Sequence, residues 1–419
     1  MRCGSRTVDA WFGASDDFGR LEPFFIASMI ILGSICLSRR RCRWGEIFRH
    51  NSALFLFYAY LFASVTWAVG VESPAVKILR PLGDLIMALI IATERNPREA
   101  IMTMFRRCAI LLIPLSIVLI RYYPDLGRGQ DKHWGPDPWI GVSTHKNPLG
   151  QLCLVSALGW IWSLDLVRQR GGKWMREPVI LIYGAMTLYL FNGGGHSRSS
   201  TAIVCLLFAI ALSIAVSSMR DRVRQLFGRM GAALAAIALL ALTLNLFGTS
   251  LQAVVAEVQG KDATLSDRTY LWKDVVRLGM QHPILGSGYG GFWTSEIYSK
   301  LSPEVDNRPA ESHNGYLETF ANLGFVGVAM LVALLWQSLA SAFALIRSDF
   351  EYGRMRLVML ATILLMNYTE ATFPRGTHLW WFCFLIVAIY ARPWVFWPQQ
   401  QPARKAYTLA PAQPEPALA

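Results

Sequence analysis

"ESHNGYLETFANLGFVGVAMLVALLW" occupies Glu311–Trp336, and its reading decides what kind of fold this chain adopts. From Thr319 to Ile346 no residue is charged. Such a run exceeds the roughly 20 apolar residues that cross ~30 Å of hydrocarbon as a helix. Yet it opens on His313, Asn314 and Glu318, with Gly324 and Gly327 behind them, and it follows the longest polar stretch in the chain. Titratable side chains at the mouth of a span are costly unless they are paired or have a function.

Working outward, comparable uncharged runs recur at Asn51–Val71, Pro178–Ser197, Thr201–Met219 and Met230–Ala256. The 419 residues are 53% hydrophobic and only 16% charged, with a mean hydropathy of +0.34, where a soluble chain carries about 25% charged residues. The expectation is an all-α polytopic integral membrane protein. Spans are expected near 21–37, 52–70, 82–93, 108–122, 149–167, 178–193, 200–217, 230–249, 321–346, 357–372 and 377–393. The first 20 residues are mixed polar, without the pattern of a cleavable signal peptide.

The net charge of +12 reports orientation in such a chain rather than nucleic-acid binding. Segments 38–51, 94–107, 168–177, 218–229 and 347–356, all expected as loops, hold five, four, four, four and three Lys/Arg. The alternating segments 71–81, 194–199 and 373–376 hold two, one and one. The basic set is therefore expected in the cytoplasm, with the N-terminus and the loops 123–148 and 250–320 outside. Residues 1–397 read as one polytopic membrane domain with the large outer loop at about 250–320; the Pro/Ala/Gln-rich segment 398–419 reads as a disordered cytoplasmic tail. The seven cysteines have no CxxC spacing, which argues against disulfides and thiolate metal sites.

Within the outer loop, "SDRTYLWKDVVRLGMQHPILGSGYGGFW" (Ser266–Trp293) reads as an amphipathic helix ending near Gly279, followed by a turn-rich segment. Ser266 suits an N-cap, and Tyr270, Leu271, Val275 and Leu278 form an apolar stripe. Arg268 would then sit in the first turn, where the helix dipole disfavours a cation by roughly 0.3–1 kcal/mol. A bound anion at that helix end would account for it, since a guanidinium grips phosphate bidentately. The bland alternative is an exposed arginine on a solvated loop. His313 is placed to accept a proton from a hydroxyl at the membrane interface, with Glu318 five residues on and Asn314 placed to orient a ligand; the alternative is an interfacial or capping histidine.

Other outer segments bring His145 and Lys146 ("GVSTHKNPLGQ", Gly141–Gln151), Arg198 ("GGGHSRSSTA", Gly193–Ala202) and Arg121 ("IRYYPDLGR", Ile120–Arg128). Together they would line a cavity with positive charge, as an anionic lipid head group requires; snorkelling to the interface is the alternative. There is no G-x-x-x-x-G-K-[ST], no H-E-x-x-H and no G-x-S-x-G, and no Asp-rich outer loop that would hold Mg²⁺ or Mn²⁺. The expectation is chemistry without metal or cofactor.

"SDRTYLW", then "HPILGSGYGGF", then "SHNGYLETFANLGFVG" opening a span, resemble the signature region of the O-antigen ligase and polysaccharide polymerase superfamily of bacterial envelope glycosyltransferases. "THKNPLG" and "SRSS" look like its exopolysaccharide-polymerase members in particular. The resemblance implies glycan transfer on the periplasmic face of the inner membrane. The donor would be a glycan on undecaprenyl diphosphate and the acceptor a sugar hydroxyl. By position it implies that Arg268 binds the donor diphosphate, that His313 assists the acceptor hydroxyl or the leaving diphosphate, and that Arg198 matches an intramembrane arginine of the family. Glu318 would orient His313 or face the cavity. Members commonly have twelve spans with both ends inside, so eleven spans with an outer N-terminus departs from the pattern.

Three functions follow for testing. The leading one is a polymerase of exopolysaccharide or surface polysaccharide. A ligase moving finished glycan onto lipid A–core uses the same donor chemistry. A transporter or flippase of lipid-linked sugars is the alternative of another class, although no repeated halves are evident. Membrane lipids and other polysaccharide export proteins are the further expected partners, and nucleic acid is not.

Overall fold

The computed structural model describes residues 17–70, 73–129, 138–169, 171, 177–192, 199–218, 268–303, 305, 309, 311–391, 393 and 395–396. The expected span 230–249, Arg198, the expected cap Ser266 and the tail 398–419 lie outside the described residues. The chain runs α1 (Asp17–Ser38), α2 (Trp44–His50), α3 (Ser52–Ser64), α4 (Pro74–Ala92), α5 (Pro97–Tyr122), α6 (Pro124–Gly127) and α7 (Lys146–Gln169). It continues with α8 (Pro178–Asn192), α9 (Ser200–Ser218), α10 (Arg268–Gly279), α11 (Ser295–Ser299), α12 (Gly315–Ser348), α13 (Phe350–Thr369) and α14 (Leu379–Ala388). The described strands are two-residue pieces, Arg41–Cys42 pairing antiparallel with Val395–Phe396. α5, α7, α9 and α12 are each long and apolar enough to cross a bilayer, and α1, α3, α8 and α14 contain shorter apolar stretches. This is an all-α polytopic membrane protein.

Ten of the eleven expected spans fall on described helices, but three helices begin well before the apolar run does. α5 was expected from 108 and starts at Pro97: Asn96 Oδ1 accepts from Glu99 N at 3.4 Å, its amide reaches the Glu99 carboxylate, and Pro97 occupies the first turn. That is a cap, a Pro start and a reciprocal acid, all start signals that hydropathy does not register. α13 starts at Phe350 behind Asp349, whose carboxylate accepts from Tyr352 N at 3.2 Å. α4 starts at Pro74 rather than 82. Most of the basic segments 94–107 and 347–356 is therefore helix rather than loop.

α12 and α13 form an antiparallel pair joined at Asp349; α12 packs on α3 and α10, and α13 on α9 and α14. α7 lies among α5, α8 and α9, while α4 sits between α1 and α14. The largest fully buried side chains of the core include Trp380, Trp381, Phe57, Phe373 and Phe384. A second, smaller cluster seats α10 on the foot of α12: Leu271, Trp272, Val275 and Leu278 against Leu317, Ala321, Phe292 and Tyr368. Fully burying a side chain of this size contributes about 1.5–3 kcal/mol. Tyr270, expected on that stripe, is 41% exposed, and Trp272 takes its place.

α12 is broken at Gly324, whose φ of 64° and ψ of −166° only glycine adopts freely. The glycine-rich turn after α10 repairs the break. Phe325 N donates to Pro283 O at 2.8 Å, Val326 N to Ile284 O at 3.1 Å, and Ser287 N to Ala321 O at 3.1 Å. Tyr60 OH reaches both Leu285 O and Leu323 O. The turn reading of "GSGYGG" holds, with positive φ at Gly286, Gly288 and Gly290. Loop and broken helix thus form one hydrogen-bonded unit, which sets where the head of α12 points.

Candidate active site

α10 organises the site. Trp272 stands one turn beyond Arg268 on the same helix, and its Nε1–H donates to Ser312 O at 2.8 Å. From the other side Glu318 Oε2 accepts from Ser312 N at 2.9 Å, and Ser312 Oγ donates to Asn314 O at 2.8 Å. Pinned on both faces of Ser312, the chain turns through His313 with φ at +51°, a left-handed conformation rare for a residue with a side chain. Asn314 then caps α12, its Oδ1 accepting from Tyr316 N at 3.0 Å and Leu317 N at 3.1 Å.

Around His313 the charges converge on Glu370, at the end of α13. Arg268 Nη1 donates to Thr369 O at 2.7 Å, and its Nη2 lies 3.7 Å from Glu370 Oε1. Asn147 Nδ2, from the first turn of α7, donates to the same Oε1 at 3.0 Å. His313 Nδ1 lies 4.0 Å from Glu370 Oε2 and 3.2 Å from Glu311 Oε1, without aligned hydrogen-bond geometry to either. Glu311 is also ion-paired with Arg375. His145, one residue before α7, lies near enough to Glu370 to act on it electrostatically. Thr369 Oγ1 meets Thr201 Oγ1 at 3.5 Å, so α9 closes the same corner. A side chain on Gly150 would collide with Ser199 at 2.4 Å, which ties "THKNPLG" to "SRSS" by close approach.

Glu318 bears on His313 through the backbone. Its oxygens take Trp293 Nε1–H at 3.0 Å, Asn322 Nδ2 at 3.0 Å and Ser312 N, so it braces the backbone before His313. Asn314 was expected to orient a ligand; it is fully buried and spent on capping, so it offers a ligand no surface. Arg121, at the end of α5, is exposed and sits 5.6 Å from the Tyr189 ring centroid, a cation–π arrangement outside the Glu370 cluster. Lys146 heads α7, half-buried, beside Asn147.

Sequence reasoning missed Glu370, Glu311 and Arg375, and gave Asn147, which follows His145 and Lys146, no role of its own. A signal for the first was present: Glu370 ends the uncharged run 357–369, an acid at the mouth of a span like the one that drew attention to Glu318. Glu311, His313 and Glu370 each offer a ligand atom within 4.8 Å of the others, a spacing a cation fits. Arg375 and Arg268 already place two positive charges against these carboxylates, which weighs against a further cation. Of the titrating groups in the outer loop, burial raises the Tyr289 phenol. Asp274 is also desolvated, but hydrogen bonds from Arg277 and Ser302 outweigh this and hold its carboxyl below the usual range.

Residues 184–332, which contain Arg268, Glu311, His313 and the break in α12 at Gly324, match the family described as O-Antigen ligase. Over that stretch the chain is similar to the O-antigen ligase superfamily. It is 23% identical over 296 residues to the exopolysaccharide production protein ExoQ of Rhizobium meliloti, covering 68% of this chain and 64% of that protein. It is also 23% identical over 400 residues to the O-antigen ligase of Pseudomonas aeruginosa, covering 92% and 87%. Glu370 and Asn147 lie outside the matched residues and join them only through the fold.

Proposed function

We propose that the protein is a metal-independent glycosyltransferase that extends exopolysaccharide or surface polysaccharide on the periplasmic face of the inner membrane, from a glycan on undecaprenyl diphosphate. The observation that carries this reading is the convergence of Arg268, Asn147 and His313 on one buried carboxylate, Glu370. Arg268 spends one N–H on Thr369 O and lies beside Glu370, leaving further guanidinium donors for a diphosphate. His313 turns Nδ1 to Glu311 and Glu370, which leaves Nε2 to meet the acceptor. In the reaction the acceptor oxygen bonds to the anomeric carbon as the bond from that carbon to the diphosphate oxygen breaks. The leaving diphosphate takes the electron pair, and the hydroxyl proton passes to His313. Glu311 and Glu370 stabilise the imidazolium so formed.

The relatives support both joining reactions, an exopolysaccharide production protein and an O-antigen ligase. The likeness of "THKNPLG" and "SRSS" to exopolysaccharide polymerases favours polymerisation; transfer onto lipid A–core is the second reading. The test sizes surface and secreted glycans from a strain lacking the protein. Polymerase function predicts loss of long exopolysaccharide with single repeat units accumulating on the carrier. Intact polymer on the carrier with none on lipid A–core would assign ligase function instead. Arg268→Ala and His313→Ala are each expected to abolish transfer with membrane insertion intact. Wild-type output from either stably inserted variant would remove that residue from the reaction.

A further inference from the structure

Asp84 is an acid within the apolar part of α4, where a charge is costly unless it is partnered or has a task. It is half-buried and accepts from Thr377 N at 2.7 Å. The preceding N–H, that of Gly376, donates to Tyr289 OH at 3.1 Å. Gly376 lies so close to α4 that a side chain on it would stand 2.8 Å from Pro81 N. Arg375 O accepts from His378 N at 3.2 Å and closes the turn. Inside it Thr377 has φ at +62°, a conformation for which turns ordinarily use glycine. Thr377 and His313 are the two non-glycine residues with positive φ among the described residues. Their turns are joined by one carboxylate. Arg375 is ion-paired with Glu311 Oε2, and Glu311 Oε1 lies 3.2 Å from His313 Nδ1. Tyr289 is itself fixed in the glycine-rich turn: its N donates to Ser64 Oγ at 3.1 Å, and Gly290 N donates to Asn322 Oδ1 at 2.9 Å.

We propose that Asp84 and Tyr289 are positioning residues for the transfer reaction. By holding Thr377 and Gly376 they keep the strained turn that sets Arg375 on Glu311, and through Glu311 they orient His313. The proposal rests on the glycan-transfer reading above for the role of His313. A residue with a Cβ is crowded by its own backbone at a φ of about +60° and relaxes from it unless held. Two acceptors on separate elements, α4 and the glycine-rich turn, resist that relaxation. Without them Arg375 shifts, Glu311 turns with it, and His313 no longer meets the acceptor hydroxyl squarely, where position accounts for much of the rate. Asp84 acts here as a hydrogen-bond acceptor, and its charge is not the working property.

The test uses the full-length protein with two readouts. Long glycan per inserted protein is measured in a strain lacking the native copy. The imidazole nitrogen NMR signals of His313, identified by their loss in His313→Ala, are read in lipid nanodiscs. Asp84→Leu removes the acceptor and is expected to lower transfer about tenfold or more, with the His313 signals moving toward those of free imidazole. Asp84→Asn keeps an acceptor oxygen for Thr377 N and is expected to retain most of the transfer. Thr377→Gly added to Asp84→Leu supplies a residue that adopts φ of +62° freely, and is expected to restore the His313 signals and part of the transfer. An acid that merely supports the packing of α4 predicts no such recovery. Should Asp84→Leu insert poorly, Tyr289→Phe carries the measurement, since it removes the acceptor of Gly376 N at little change in volume. Wild-type His313 signals, or wild-type transfer, in whichever of the two inserts overturns the proposal. So does an Asp84→Asn variant as inactive as Asp84→Leu, with no recovery by Thr377→Gly, because charge would then be what counts. If the signals move as expected but the wild-type protein restores no glycan to the strain, the positioning stands and the transfer reading fails.

Discussion

Arg268 Nη2 stands 3.7 Å from Glu370 Oε1, joining the first turn of the outer-loop helix to the end of α13 across a large separation in sequence. Glu370 is 8% exposed at its side chain and Arg268 22%, so the pair is shielded from water enough for its charge to matter. Glu370→Ala leaves Arg268 and Asn147 without their common partner. Placing the guanidinium wrongly is expected to lower transfer by about 10–100-fold. Leaving buried donors unmet is expected to cost about 1–3 kcal/mol of stability. Glu370→Gln keeps an acceptor for Asn147 but loses the charge, and should recover stability more than activity. Glycan yield per folded protein and thermal midpoint, measured together, check this; equal activity of both variants and wild type refutes it.

Glu318 acts on His313 through Ser312. Glu318→Ala frees the Ser312 N–H, the Trp293 Nε1–H and an Asn322 amide, and removes one of the two clamps that force His313 into its left-handed turn. Transfer should fall steeply while diphosphate affinity, set at Arg268, stays near wild type. Glu318→Gln retains one acceptor oxygen and should lose less than alanine. A variant with normal turnover but weakened diphosphate binding would show that Glu318 faces the donor instead.

Gly324→Ala adds a Cβ about 2.3 Å from Ile284 O at a backbone φ of 64°. Relief requires the glycine-rich turn to move away from α12, taking the Phe325 and Val326 hydrogen bonds with it. Strain of about 1–3 kcal/mol from the backbone alone, before the clash, is expected to reduce the yield of detergent-stable protein sharply. Gly184→Ala in α8 is the control, because a Cβ there meets nothing within 4 Å. It should be neutral or stabilising by up to about 1 kcal/mol. Similar melting of the two variants would count against the repaired break.

Asp274 fastens α10 to the loop after α11, accepting from Arg277 Nη2 at 2.6 Å and Ser302 N at 2.6 Å. Its carboxyl is desolvated, yet those hydrogen bonds hold its pKa below the ordinary value. A depressed folded pKa gives stability that is complete above the unfolded value of about 3.9 and is lost as pH falls through the folded one. Asp274→Asn should therefore melt below wild type at pH near 7, and the gap should close only below about pH 4. A gap that closes nearer pH 6 would assign the effect to another group.

Most of the bundle was legible because lipid imposes a simple rule: a helix facing hydrocarbon must be apolar along its length, and the uncharged runs show it. Helix starts were less legible at Asn96–Pro97 and Asp349, where caps and Pro extend a helix into charged sequence that hydropathy treats as loop. Arg268 and His313 were singled out from local pattern, a cation in a first helical turn and a histidine at a span's mouth, and both stand beside Glu370. Asn314 and Glu318 carry the same pattern yet serve the backbone, and only their hydrogen bonds distinguish them.

By itself the sequence determined the membrane class, the order of the described helices and the polar segment that holds Arg268 and His313, since each rests on properties of contiguous residues. Tertiary structure alone decided that Asn147, Arg268, His313 and Arg375 meet around Glu370 and Glu311. These residues come from segments far apart in the chain, and no local preference couples them. What brings them together is the broken α12, held in shape by the glycine-rich turn, and the apolar face of α10 buried on its foot. Those contacts form only once the bundle has closed, and they set the positions of charges whose interaction depends on distance and burial.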